Sequence, residues 1–235
     1  VFAFSELAPW KTKDGVDYGG AYTEIVRELA RRVHRELQIT ECPHARCLLM
    51  MKSGEADLGI GIQRSPEREL FLAYLQTPYR KTASDRVFYV RRGEAQRIGR
   101  YEDLQGLRIG ITLGSAYFDR FDDDKTLDKE AAPTNAANLQ KLLLKRVDAV
   151  LMPEDQGAVL LSQLGLAGQV ETAVYREHDL DPRSVAVSRH SAAFALMPQL
   201  EAAMLAMRRD GTLAAIYDKH YYERYRVTRK QVRLE

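Results

Sequence analysis

Long apolar runs are missing from this 235-residue chain: no stretch of about 18 apolar residues occurs, which excludes a membrane-spanning helix. A dominant charge is missing too. Lys and Arg number 35 against 33 Asp and Glu, a formal net charge of +2, and the two signs are mixed along most of the chain. A nucleic-acid-binding chain shows a stronger and more clustered basic excess, so that class is disfavoured. Cysteine is scarce. Cys42 and Cys47 stand around Pro43, and two sulfurs near the single His44 make no usual metal-ligand set. They are either a local disulfide of an oxidising compartment or two reduced thiols. The other histidines are scattered without metal spacing, and Gly59 and Gly61 lack the third glycine of a dinucleotide fingerprint. Asp122-Asp123-Asp124 lacks the spacing of a calcium loop. No metal or cofactor is expected. The chain opens in a strand-like Val1-Phe2-Ala3-Phe4 rather than a leader, so it is expected to be cytoplasmic or a trimmed, mature form.

What the chain has is an ordered alternation of strand and helix signals, with enough residues for one large domain or two lobes. Val1–Ser5 reads as a first strand. Ile25, Val26, Leu29, Val33 and Leu37 share one face of a helix over Tyr22–Leu37. Pro43 suits the start of a second helix ending at Gly54, and Asp57–Ile62 reads as a buried strand. After a polar crossing over 91–107 the order begins again. Leu107–Thr112 is a strand, Gly114-Ser115 a turn, Asn138–Lys145 an amphipathic helix and Val147–Met152 a strand. Gly54-Glu55-Ala56-Asp57-Leu58 and Lys145-Arg146-Val147-Asp148-Ala149 are similar helix-to-strand joints. A strand at Ser184–Ser188 and two helices, Met197–Arg209 and Thr212–Tyr222, close the chain. The expected architecture is two-lobed α/β: residues 1–89 with 188–235 in one lobe and 90–187 in the other, joined by two crossing strands with a ligand cleft between them.

The segment from Lys52 to Tyr79 carries the chemistry. Its strand empties into the polar turn Gln63-Arg64-Ser65, and Pro66-Glu67-Arg68 starts a short helix. Arg68 and several N–H groups therefore stand at the carboxyl end of a strand, where open α/β sheets bind ligands and helix N-termini attract anions.

In these blocks the sequence resembles the bacterial extracellular solute-binding proteins of family 3, with the type II periplasmic binding fold. The blocks are Pro9-Trp10, the amphipathic helix Gly20–Val33, Gly54–Arg68, Gly110–Ser115, Asn138–Val150 and Asp210–Lys219, and their order spans nearly the whole chain. The resemblance implies a monomeric periplasmic binding protein, its signal peptide removed, that closes on a small carboxylate-bearing solute and delivers it to a membrane ABC permease. It implies that Arg68 clamps the carboxylate, a task its planar fork suits. Trp10 would cover the ligand side chain, Ser115 would assist at the carboxylate, and Gly61 and Gln63 would contact the ligand. Two positions depart from the pattern. Ala116 replaces a second hydroxyl, and Pro153 stands where an ammonium-binding Asp is expected, with Glu154 beside it. Arg46 and Arg64 together with Arg68 would make the pocket cationic, which suits a dicarboxylate or another anionic solute.

Each residue also has a plainer reading. Arg46 and Arg64 also read as solvated surface cations, Trp10 as packing, Tyr117 as lining the cleft or packing its lobe, and Ser115 as a helix cap. Two alternative functions share the scaffold: the ligand-sensing extracellular domain of a receptor, and a dehydratase-like enzyme with Glu154 or Glu6 as general acid. Nothing pairs either carboxylate with a tuning partner in the sequence, so binding without catalysis is the favoured reading.

Overall fold

A computed structural model describes residues 1–113 and 115–234; Gly114, expected in the turn with Ser115, lies outside the described residues. In chain order the elements are β1 (Phe2–Phe4), β2 (Thr12–Asp14), β3 (Asp17–Gly19), α1 (Ala21–Arg32), β4 (Ile39–Glu41), α2 (His44–Ser53), β5 (Leu58–Gly59), α3 (Pro66–Glu69) and β6 (Leu72–Tyr74). There follow β7 (Arg86–Arg91), β8 (Arg108–Thr112), α4 (Asp119–Asp123), β9 (Asp128–Ala132), α5 (Asn135–Leu143), β10 (Ala149–Pro153), α6 (Glu154–Leu164) and β11 (Val170–Glu177). The chain ends in β12 (Ala186–Ser188), α7 (Met197–Arg209) and α8 (Thr212–Tyr217). Contacts divide it into two units. Unit 1 holds Val1–Ala83, Leu180–Arg229 and the residues from Arg233; unit 2 holds Ser84–Asp179 and Lys230–Val232.

Unit 1 is built on a five-stranded sheet ordered β4-β1-β5-β12-β6. β1 runs parallel to β4 and β5, and β12 is antiparallel to β5 and β6. All three β1 residues are buried, as expected for a parallel strand covered on both faces. Ala3, Met51, Ile62, Phe71, Leu72 and Ala186 form one of its cores. Unit 2 carries a second five-stranded sheet, ordered β11-β7-β10-β8-β9. Along β7, Phe88 and Val90 join one apolar cluster, while Val87 and Tyr89 join the other. That period of two shows a sheet buried on both sides.

Several boundaries move from their sequence-based positions. The first helix stops at Arg32 because His34 takes a left-handed conformation, φ 53°, leaving Leu37 outside it. The strand expected over Asp57–Ile62 pairs only at Leu58–Gly59, because Gly61 turns the chain with φ 75°. The last helix is regular only to Tyr217 and continues as a π-helical turn, Asp218–Glu223. The β2–β3 hairpin, β9, β11 and α6 were not legible in the sequence.

Cys42 and Cys47 form a disulfide with Cα atoms 5.4 Å apart, which decides between the two readings of the pair. It ties the end of β4 to the first turns of α2, and both residues are buried in the unit 1 core. So short a closed loop contributes roughly 2 kcal/mol in the chain-entropy account. Replacing both cysteines with alanine should lower the free energy of urea unfolding by about that amount; an unchanged midpoint would show the bond to be without weight.

Candidate functional site

The carboxyl edge of the unit 1 sheet carries Gly61, Gln63, Arg64 and Arg68 of the expected residues. Leaving β5, the chain passes Ile60, Gly61 and Gln63 before Ser65 caps α3, its Oγ accepting from the Arg68 N–H at 3.3 Å. At Gly61 an added Cβ would stand 3.1 Å from Leu7 and 3.6 Å from Tyr22, so the turn needs glycine for both space and φ. The Gly61 N–H donates to the Tyr79 hydroxyl at 3.2 Å. α3 is a single turn of four residues, too short for an appreciable macrodipole. Attraction for an anion at this turn therefore rests on Arg68 itself.

The three arginines expected to face one pocket have different surroundings. Arg68 is half-buried; its Nη1 donates to the Gln63 carbonyl at 2.8 Å, which also accepts from the Tyr74 hydroxyl at 3.3 Å. Among the described residues Arg68 pairs with no carboxylate. Arg64, in contrast, pairs with Glu69 at 3.3 Å and lies over the Tyr74 ring. Arg46 is exposed on α2 and sits 3.7 Å from Glu55. Both have a counter-ion, whereas Arg68 has none among the described residues. An open cavity of about 480 Å³ in unit 1 is lined by Gln63, Arg64, Glu69, Tyr74, Asp181 and Arg183, and its lining does not include Arg68.

Trp10 does not present an open ring face to a ligand. It is 3% exposed, with its ring stacked on Tyr22 at 4.9 Å and on Tyr221 at 4.7 Å. Both faces are occupied, so the plainer packing role holds. Glu6 is exposed just past β1, with no partner among the described residues.

The residue after Trp10 is the one that sequence reasoning missed. Lys11 is 2% exposed, and its Nζ donates to the Ser5 hydroxyl and the Ile60 carbonyl, each at 3.1 Å. Burial pulls its pKa down to about 8. His44, at the start of α2, is also held below its ordinary range, first by burial and then by the charges of Arg68 and Lys11. These three groups share one electropositive neighbourhood. A lysine in the polar run Lys11-Thr12-Lys13-Asp14 carries no local mark of burial. The one available signal is its place directly after a strand-end Pro-Trp.

In unit 2, Ser115 lies exposed on the loop after β8. Its N–H donates to the Thr112 carbonyl at 3.1 Å, while its hydroxyl has no partner among the described residues. Tyr117 packs its own unit: its hydroxyl accepts from the Thr112 N–H at 2.8 Å and its ring meets Phe121. Pro153-Glu154-Asp155 opens α6 rather than a ligand loop, with both acids in the first turn. The Glu154 carboxylate accepts from Arg176 at 3.1 Å, and Arg176 also donates to Asp85 at 3.2 Å. Burial raises the Glu154 pKa, the Asp85 charge adds to this, and Arg176 opposes it. Glu154 thus shares Arg176 with Asp85 within its own unit.

The model of the bacterial extracellular solute-binding proteins, family 3, matches residues 3–223. The chain belongs to that family. Solved structures agree on the fold. The second substrate-binding domain of Lactococcus lactis GlnP, in an open conformation, aligns at TM-score 0.71 and 17% identity, over 94% of this chain and 93% of that one. AbpA of Streptococcus pneumoniae, an amino acid ABC transporter substrate-binding protein bound to L-arginine, aligns at 0.67 and 17%, over 95% and 94%. The ancestral amino-acid-binding protein AncCDT-1, a precursor of cyclohexadienyl dehydratase, aligns at 0.66 and 19%, over 94% and 93%. These likenesses show the type II periplasmic binding fold. No curated protein sequence matches. Within family 3, then, this chain carries a buried lysine directly after Trp10, and its Glu154 is paired with Arg176.

Proposed function

We propose that this family 3 protein captures a small carboxylate-bearing solute and hands it to a membrane ABC permease. The observation that carries the reading is Arg68: it is the arginine of the Gln63–Glu69 turn without a counter-ion among the described residues, past the carboxyl end of β5, which runs parallel to β1. Its Nε and Nη2 have no partner among the described residues and form the fork that binds a carboxylate in a bidentate manner. The Cys42–Cys47 bond supports an extracytoplasmic setting, in keeping with the family's extracellular character. Catalysis is disfavoured because Glu154, the acid with a raised pKa, is held by Arg176.

Thermal shift against amino acids, keto acids and dicarboxylates identifies the ligand class, since a ligand at a hundredfold excess over its Kd adds about 2.7 kcal/mol. Arg68→Ala should then weaken binding of the best ligand by about 2–3 kcal/mol, the weight of charge-assisted hydrogen bonds. Arg64→Ala should leave the affinity nearly unchanged. Calorimetry showing equal losses for the two variants would remove Arg68 as the clamp.

A further inference from the structure

We propose that Lys11 is a second anion-binding cation of the unit 1 site, so that the preferred solute carries two acidic groups, one for Arg68 and one for Lys11. The inference deepens the carboxylate reading and rests on it. Lys11 has three N–H donors: two go to the Ser5 hydroxyl and the Ile60 carbonyl, the Phe4 ring lies 6.0 Å from Nζ, and no carboxylate among the described residues pairs with it. A buried ammonium without a counter-ion is costly unless something else supplies the charge, and a bound anion would do so. Burial is the whole cause of its lowered pKa; no acidic neighbour offsets it.

Position makes a ligand the natural source of that charge. Ser5 directly follows β1 and Ile60 directly follows β5, and these strands are parallel neighbours. The Lys11 ammonium therefore bridges two strand ends on the edge that carries Gly61, Gln63 and Arg68. Its acceptor, the Ile60 carbonyl, and that of Arg68, the Gln63 carbonyl, are three residues apart, at most about 10 Å along the chain. The charges of Arg68 and Lys11 both act on the single imidazole of His44. No carboxylate among the described residues pairs with either cation: Glu41 is bound to Lys13, and the exposed Glu6 acts on Lys13. A short dicarboxylate satisfies both cations; a zwitterion satisfies one and repels the other.

The test is calorimetric titration of wild type, Lys11→Met and Lys11→Gln with succinate, glutarate, their monoamides and glutamine. The wild type should bind one of the dicarboxylates at least about tenfold more tightly than its monoamide, a difference of about 1.4 kcal/mol. Both variants should lose that preference while keeping their affinity for the monoamide. A merely structural lysine would weaken all compounds alike, so the ratio is the readout, and the glutamine variant covers the event that the methionine variant misfolds. Retention of the preference in a folded variant overturns the proposal. So does a wild type that binds the monoamide or glutamine as tightly as the dicarboxylate, which leaves the carboxylate reading standing. Failure of every carboxylate to bind overturns both.

Discussion

Trp10→Ala should lower the stability of the protein by about 3–5 kcal/mol, the range for removing a large buried aromatic from a core. The indole is sandwiched between Tyr22 and Tyr221, meets Tyr217 edge-on at 6.4 Å, and lies 5.2 Å from the buried Arg80 guanidinium. Its backbone is equally committed: the carbonyl accepts from the Tyr22 N–H at 3.0 Å. Truncation leaves a cavity that three ring systems cannot collapse into without leaving their own contacts. Trp10→Phe, which keeps a ring in the sandwich, should cost a fraction of that. Urea unfolding measures both, and ligand titration supplies the opposite arm. A variant that stays stable yet loses the ligand would return Trp10 to the recognition role suggested by its place after Pro9.

The second large effect lies in pH. Burial brings the Lys11 pKa down to about 8 from its ordinary 10.5, so between these values the unfolded chain holds the proton and the folded one does not. Stability then rises with pH across that window. Below about 8 both states are protonated and the burial penalty is present in full; above about 10.5 both are neutral and it is gone. At 1.36 kcal/mol per unit the swing is about 3 kcal/mol. Lys11→Met has no such group. It should be the more stable protein near neutral pH by about 1–2 kcal/mol, after the loss of two hydrogen bonds, and should lose that advantage by pH 10.5. Comparing the two proteins at each pH cancels the other lysines and tyrosines. A difference that stays flat from pH 7 to 10.5 would show Lys11 to be solvated. A stabilising removal of a charged residue is also what a binding site predicts, since sites are held at a cost in stability.

The sequence and the structure part company at identifiable residues. Periodicity located α7 to the residue, Met197–Arg209, because its apolar face repeats cleanly. The same rule carried α1 too far, since nothing local announces that His34 turns left-handed. α6 carries only a start signal, Pro153 and two acids in its first turn. Among the candidate residues, the turn that carries Arg68 was legible, with Ser65 and Pro66 at the start of α3. Which of Arg46, Arg64 and Arg68 lacks a counter-ion was not, because Glu55 and Glu69 reveal their pairing only in three dimensions. Burial of Lys11 depends on two strand ends meeting, a non-local fact with no trace in the residues beside it.

The sheet orders also set a schedule. Unit 2 draws every strand of its sheet from 86–177, so that sheet has all its parts once β11 has emerged. The unit 1 sheet does not: Ala186 of β12 must pair with Gly59 and Tyr74, with the whole span of β7 to β11 intervening. Closing so long a loop is slow relative to local pairing. A nascent chain halted after β11 would hold a completed second sheet while β5 and β6 waited with bare edges, the state in which this protein is most open to aggregation.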